Sequence, residues 1–301
     1  MLDEVQLLAS FEQVLNGFLR QDYLDVYVTG SNSKFLSKDV MTEFAGRGDE
    51  IHIMPLTFSE FFQGYSCDKE DAFSEYQVFG GLPALYSMNN DEDKINYLKN
   101  QLENVYIRDI VNRYDVRLDS ELENLLNVLS SEMATLTNPT KISSTFLSVK
   151  NVKISSTTIN NYIEYFEDIG LRNARLNFRQ IEPTYLMENI IYNELRYRGY
   201  MVDVGMVIKR EKDKFGKDVK KQLEVDFIAN KGNKKYYIQS AYSFSTTEKI
   251  AQEKASLLNI DDSFKKIIIV KDRLKPFLDE KGILTINLFD FLLDMNSLEG
   301  V

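Results

Sequence analysis

Two neighbouring carboxylates, Asp3 and Glu4, stand in the opening stretch MLDEVQ. At the end of a buried aliphatic strand such a pair can divide one task. The first carboxylate holds magnesium and the second orients the water that attacks a phosphate. Only Met1 and Leu2 precede the pair here, so the aliphatic run is short. A second set of candidate groups lies late in the chain: Glu188, Glu224, Asp226 and Gln239. Carboxylates converging from a helix and neighbouring strands can gather one or two magnesium ions for metal-assisted hydrolysis. Gln239 is neutral and a poor magnesium ligand, and Ala241 two residues on carries no group that could activate water.

Counts remove other chemistries. With 1 histidine (His52) and 1 cysteine (Cys67), a histidine metal centre, a histidine-based triad and a disulfide framework are excluded, and Cys67 reads as an ordinary thiol. The 301 residues are 44% hydrophobic and 27% charged, enough for two or three cores, with a net charge of -10 that argues against nonspecific coating of nucleic acid. There is no long apolar run and no secretory leader, so the sequence predicts a cytoplasmic protein without membrane partners.

The elements that must position Asp3 and Glu4 read as strand, turn, helix, strand. Phe11, Val14, Leu15, Phe18 and Leu19 fall at helical spacing, and LDVYVTGSNSKFL runs a buried strand, Val26 to Val28, into a Gly-Ser-Asn turn. A polar turn at the C-terminal end of such a strand is where open α/β sheets bind ligands, and it is equally an ordinary turn. EFAGRGDEIHIMPLTFSEFF adds a Gly-Arg-Gly turn, an alternating strand from Glu50 to Met54, a break at Pro55 and a short aromatic helix.

In this order, LDEVQ, YVTGSNS, AGRG and PLTFSEFF resemble the second half of the prokaryotic AAA-type ATPases that carry a carboxy-terminal domain of unknown function. The resemblance extends over most of the chain. It implies that Asp3 and Glu4 form the Walker B pair, with Asp3 on magnesium and Glu4 polarising water. It likewise implies that Ser31 and Asn32 match the sensor reading the γ-phosphate, and that Arg47 is a candidate arginine finger, a solvated turn residue being the alternative. ATP and Mg2+ are the cofactors of the intact family. No Gly-x-x-x-x-Gly-Lys-[Ser/Thr] loop occurs in the 301 residues, so the resemblance is to an amino-terminally truncated member, not expected to hydrolyse ATP alone.

Four units follow: a partial P-loop core over 1–62, a helical lid over 63–116, a winged-helix-like unit over 117–168 and a nuclease-like α/β domain over 169–301. FGGLPALY matches the family's turn into the lid, and YLKNQLENVYIRDIVNRYDVR is amphipathic, with Leu98, Leu102, Val105, Tyr106 and Ile110 inward. KISSTTINNYIEYFED supplies the last of three short helices. Its polar residues and the basic stretch Lys141 to Lys153 make residues 140–165 a candidate DNA contact, or only a solvated face. The wing expected before IGLRN is absent.

In the terminal unit a helix over PTYLMENIIYNELRYRGY leads to strands MVDVGMV, QLEVDFIAN and KKYYIQSAYS, a helix TEKIAQEKASLLNI, a buried strand FKKIIIVKD and a last strand-helix pair. The layout resembles restriction-endonuclease-like folds. That likeness maps Glu188 onto the helix acid, Asp226 onto the strand acid, Gln239 onto the acid of the Glu-x-Lys motif and Ala241 onto its lysine. The fold class expected is α/β multidomain. Its function is that of an AAA-type ATP-binding relative or, alternatively, a DNA- or protein-binding module built on an inactive nuclease-like domain. Protein partners and self-association remain open, and an active nuclease ranks third.

Overall fold

The computed structural model describes residues 1–3, 5, 8–29, 46–49, 51, 53–103, 168–179, 182–212 and 218–299, with isolated residues 126, 127, 130, 144, 147 and 148; side chains of 210–212 and 218 are outside it. The chain divides into two units, Met1–Ile53 and Met54–Val301.

In the first unit, helix α1 (Phe11–Phe18) buries Phe11 and Leu15 against Val5, with Leu2, Val26 and Val28 packed at the margin. Leu2 and Val28 form an isolated parallel bridge, held by Leu2 N–H to Tyr27 O at 2.9 Å and Thr29 N–H to Leu2 O at 2.8 Å. The strand expected over Val26 to Val28 is thus a single bridge. The alternating run toward Met54 is not a strand at Ile51, Ile53 or Met54, and Ile51 and Ile53 stand 77% and 86% exposed. Alternation favours a strand only where a ladder neighbour and a buried face reward it.

The second unit begins with well-signalled helices. Thr57 and Glu60 form a reciprocal capping box at the start of α2 (Phe58–Gln63), Asp68 caps α3 (Lys69–Phe79), and Asn90 caps α4 (Asp91–Asn100). Leu98 and Leu102 are buried as expected, whereas Val105, Tyr106 and Ile110 lie outside the described residues. Helix α5 (Ile169–Arg175) starts at Asp168, whose carboxylate accepts Leu171 N–H at 3.0 Å and Gly81 N–H at 2.8 Å. Asn173 returns the favour, its Nδ2 donating to the carbonyls of Gln77 and Val78 at the end of α3, each at 2.9 Å. Close approach makes glycine obligatory here. A Cβ on Gly170 would meet Phe79 O at 1.9 Å, and one on Gly81 would meet Leu56 O at 2.3 Å.

Helix α6 (Pro183–Tyr197) opens on a proline, which its first turn tolerates because that N–H has no helical partner. It leads into β1 (Met201–Lys212), β2 (Asp218–Lys231) and β3 (Lys234–Ala241), an antiparallel meander. Helix α7 (Thr247–Leu258) crosses to β4 (Lys265–Val270), parallel to β3. The short β5 (Phe277–Leu278), then β6 (Ile283–Asn287) parallel to β4, and helix α8 (Leu288–Leu293) complete a mixed sheet of 6 strands in the order β1-β2-β3-β4-β6-β5.

One sheet face packs on α6 and α8, and its core includes Phe58 and Phe73 from the early helices. Phe73 meets Phe58 and Phe289 edge-on, both at 5.4 Å, a geometry that aromatic quadrupoles favour. Residues 54–79 and the terminal sheet therefore share one core. The other face carries Val225, Tyr237, Ala241, Ile268 and Leu257 of α7. Among the described residues, no helix is long and apolar enough to cross a membrane.

Candidate functional site

Asp226 sits where the meander comes apart. The β2–β3 ladder runs from Lys231 opposite Lys234 to Phe227 opposite Ile238 and goes no further. On the other side of β2, Asp203 pairs with Ile228 but Gly205 with Val225, so β2 holds one extra residue at this level. Such a bulge re-aims a side chain and ends regular pairing. The freed Asp226 carboxylate enters the gap: Oδ2 accepts Ser240 N–H at 2.7 Å and Oδ1 accepts Gln239 Nε2 at 2.7 Å. Gly205 lets the strands approach, since a Cβ there would come within 2.9 Å of both Val225 and Ile228.

Gln239 is fixed from its other end by Ser256 Oγ on α7, which donates to Gln239 Oε1 at 3.0 Å. The amide's two ends thus match their partners, N–H to carboxylate and oxygen to hydroxyl. Glu253, one turn before Ser256, also hydrogen-bonds Gln239, and burial raises its carboxyl above the usual range against the lowering effects of Lys249 and that bond. On α6, burial first and then Asp226, Glu224 and Glu253 push the half-buried Glu188 carboxyl up to about 8. Burial raises Asp226 to about 7, with Glu253 and Glu224 adding to it and the Ser240 and Gln239 hydrogen bonds opposing it. These carboxyls interact, so they titrate as a set.

The site therefore brings Glu188, Asp226 and Gln239 into one cluster, with Glu224 exposed at its margin. Its fit to a divalent ion is poor. The Gln239 amide and the Ser240 N–H occupy both oxygens of Asp226, and no group of three or more metal-ligating side chains occurs among the described residues. Ala241 is 1% exposed inside the apolar cluster with Tyr237, Leu257 and Ile268, a setting in which a charged lysine would be strongly disfavoured. Lys234 pairs with Glu299, and Lys235 lies over the Tyr237 and Phe264 rings, so both serve elsewhere. Sequence reasoning missed Glu253 and Ser256; their i, i+3 spacing on α7 puts them on one face, but nothing local says that this face meets Gln239.

In the first unit, Asp3 lies beside the Leu2–Val28 bridge, and its carboxylate accepts a short hydrogen bond from Thr29 Oγ1. The carboxylate thus stands at the C-terminal end of one strand segment, next to the end of its parallel neighbour. Arg47 is exposed and donates to Asn16 Oδ1 of α1 at 3.0 Å. Glu4, Ser31 and Asn32 lie outside the described residues, as do Arg108, Asp109 and, apart from residues 144, 147 and 148, the stretch 140–165. Asp3 fits a magnesium-holding position. The sequence, however, holds no phosphate-cradling loop to complete an ATP site, and no catalytic step is derived through ATP.

Residues 1–62 match the family model of an AAA domain, and residues 70–212 match that of a domain of unknown function (DUF8612). The chain is 28% identical over 326 aligned positions to an uncharacterized protein of Haemophilus influenzae, spanning 97% of this chain and 77% of that protein. It is also 28% identical over 312 positions to an uncharacterized protein of Methanocaldococcus jannaschii, spanning 90% of this chain and 68% of the relative. No solved structure gives a significant match. On these matches the chain is a relative of the AAA-type ATPases.

Proposed function

We propose that this AAA-type relative uses its terminal α/β unit as a nuclease-like scaffold that binds a partner without cleaving it, and that the described Asp3 region does not by itself turn over ATP. The observation that carries the scaffold reading is the state of Asp226. Its carboxylate is satisfied by a glutamine amide and a backbone N–H, so neutral donors take the places that a cation would take.

The order helix, three antiparallel strands, helix, parallel strand supports the restriction-endonuclease-like assignment for this unit. Metal-dependent phosphodiester cleavage needs carboxylates around the ion and usually a positive group near the attacking water. Gln239 and Ala241 remove one of each. Loss of a single preorganised electrostatic group typically costs about 100- to 1,000-fold in rate, so two losses leave little activity.

The test incubates the full chain with plasmid and branched DNA in magnesium and in manganese, beside Asp226→Ala. No cleavage above the level of the variant is expected. Cleavage that disappears with Asp226→Ala would overturn the scaffold reading. For the first unit, a fluorescent ATP analogue and a phosphate-release assay should show weak binding and no turnover; turnover abolished by Glu4→Gln would show that the Asp3–Glu4 pair is catalytic in this chain.

A further inference from the structure

Beyond the bulge at Asp226, β1 and β2 leave the sheet together. Their register continues from Gly205 opposite Val225 to Lys212 opposite Asp218, while β3 accompanies β2 only as far as Phe227. Eight residues of each strand thus pair with one another alone, a two-stranded ribbon about 26 Å long at the usual rise of about 3.3 Å per residue. Only its root is packed: Val207 rests on the cluster around Val225.

The ribbon is basic in an acidic protein. Residues 209–221 carry 7 lysines and arginines against 3 acidic residues, whereas the whole chain has a net charge of -10. The register sets like charges face to face, with Lys209 opposite Lys221 and Arg210 opposite Lys220. Like charges directly opposite on a ladder disfavour it, and a bound polyanion reverses the sign of that contribution. Guarding an open edge against aggregation would explain charge of either sign. It does not explain an excess of one sign on both strands, with Lys220 and Lys221 exposed. Met206 and Ile208, 59% and 57% exposed, add an apolar edge on β1 beside the basic stretch.

We propose that the β1–β2 ribbon is a nucleic-acid grip that lays its basic strands in the major groove of a B-form DNA duplex. The groove is about 12 Å wide and admits a two-stranded ribbon, whereas the deep, narrow major groove of A-form RNA does not. Lysines along the rim meet the phosphates on either side and release counterions. Apolar side chains can contact thymine methyl groups. Because the ribbon springs from the strand that carries Asp226, DNA held on it is directed toward the closed carboxylate site. The inference rests on the scaffold reading for the class of partner and names where that partner is held. It is separate from the 140–165 contact expected from the sequence.

The experiment measures binding of the full chain to a fluorescein-labelled DNA duplex by anisotropy, in EDTA so that cleavage plays no part, from about 50 to about 200 mM salt. Replacing Lys220→Gln together with Lys221→Gln should weaken binding about tenfold and lower the slope of log K against log salt by about 2. An equal charge change off the ribbon, Lys275→Gln with Lys281→Gln, both exposed, should leave affinity and slope nearly unchanged. An unchanged melting temperature for both double variants verifies folding. Equal loss in the two double variants, no DNA binding at all, or equal binding of duplex RNA or a polyglutamate peptide would each overturn the proposal. Cleavage in a parallel magnesium reaction would instead sink the scaffold reading and leave the ribbon result standing.

Discussion

Residues 1–53 and residues 54–299 each place carboxylates on strand-like segments, yet they support them very differently. Asp3 depends on one parallel bridge and a small cluster, Val5, Phe11 and Leu15, while Phe18, Tyr23, Tyr27, Ile51 and Ile53 face solvent among the described residues. Asp226 depends on a sheet of 6 strands whose faces are covered by α6, α7 and α8, with Phe58, Phe73, Phe289 and Phe291 almost fully buried. Functional geometry must be held to within about 0.5 Å by supporting residues to be effective. The second unit has that support and lacks the charges for cleavage. The first has the carboxylate expected for nucleotide chemistry and little around it to fix its position.

The sharpest way to break this contrast is at the crossing of α3 and α5. In Gly170→Ala the new Cβ would fall 1.9 Å from Phe79 O, a backbone atom that cannot swing aside, and the shift would also disturb the Asp168 hydrogen bonds. A loss of more than about 4 kcal/mol, or failure to fold, is expected for the second unit from strain of this kind. A cooperative melt within about 1 kcal/mol of the parent would show that the crossing is looser than described.

Hydrogen exchange compares the two units directly. Amides of β4, whose Ile267, Ile268, Ile269 and Val270 are completely buried, should open only by global unfolding. Those of α1 should exchange through local opening at a free energy roughly 3 kcal/mol or more lower. Limited proteolysis should then clip within the first 60 or so residues before the terminal sheet is cut. Earlier loss of residues 170–301 would reverse the ranking.

Much of the second unit was legible because its signals are local and agree with one another. Caps at Thr57, Asp68 and Asn90, Pro183 at a helix start and the Lys231-Gly232-Asn233 turn mark elements without reference to distant contacts. Glu188, Asp226 and Gln239 were found because helix and strand patterns give their faces. Invisible from sequence were the bulge that frees Asp226, the α7 face that supplies Ser256, and the Gly81–Asp168 contact across 87 positions. Each depends on long-range register. The expected strand ending at Met54 failed for the complementary reason: Ile51 and Ile53 alternate correctly but bury nothing.

A pH series sharpens the same contrast at smaller scale. Glu188 is raised to about 8, Asp226 to about 7 and Asp168 to about 6, the last because burial outweighs hydrogen bonds from Gly81, Leu171 and Gly170. All three keep their protons in the folded unit at pH values where the unfolded chain, with ordinary pKa values near 4, has lost them. The folded state therefore binds more protons, and stability falls as pH rises from about 4 to about 8. The melting temperature of the second unit should drop between about pH 5.5 and about pH 8.5. Glu188→Gln, which has no proton to lose, should remove the upper part of that drop, a difference of about 2–4 °C. A profile identical to the parent's would mean that Glu188 is already ionised at neutral pH.

The smallest effect expected is a gain. Gly17 lies inside α1, its φ is not in the left-handed region, and an added Cβ would meet nothing within 4 Å. A glycine in a helix interior costs about 0.5–1 kcal/mol relative to alanine, because the unfolded chain loses more backbone freedom on folding. Gly17→Ala should therefore slow exchange at the α1 amides by a factor corresponding to about 0.5–1 kcal/mol. The amides of β4 and the melting temperature of the second unit should stay where they were, since the first unit opens separately. The same substitution type would thus be mildly stabilising at Gly17 and ruinous at Gly170, and the difference lies wholly in what surrounds the added methyl group. Faster exchange in α1 would place a neighbour against Gly17 and show the first unit to be more tightly packed than its exposed Phe18 and Leu19 indicate.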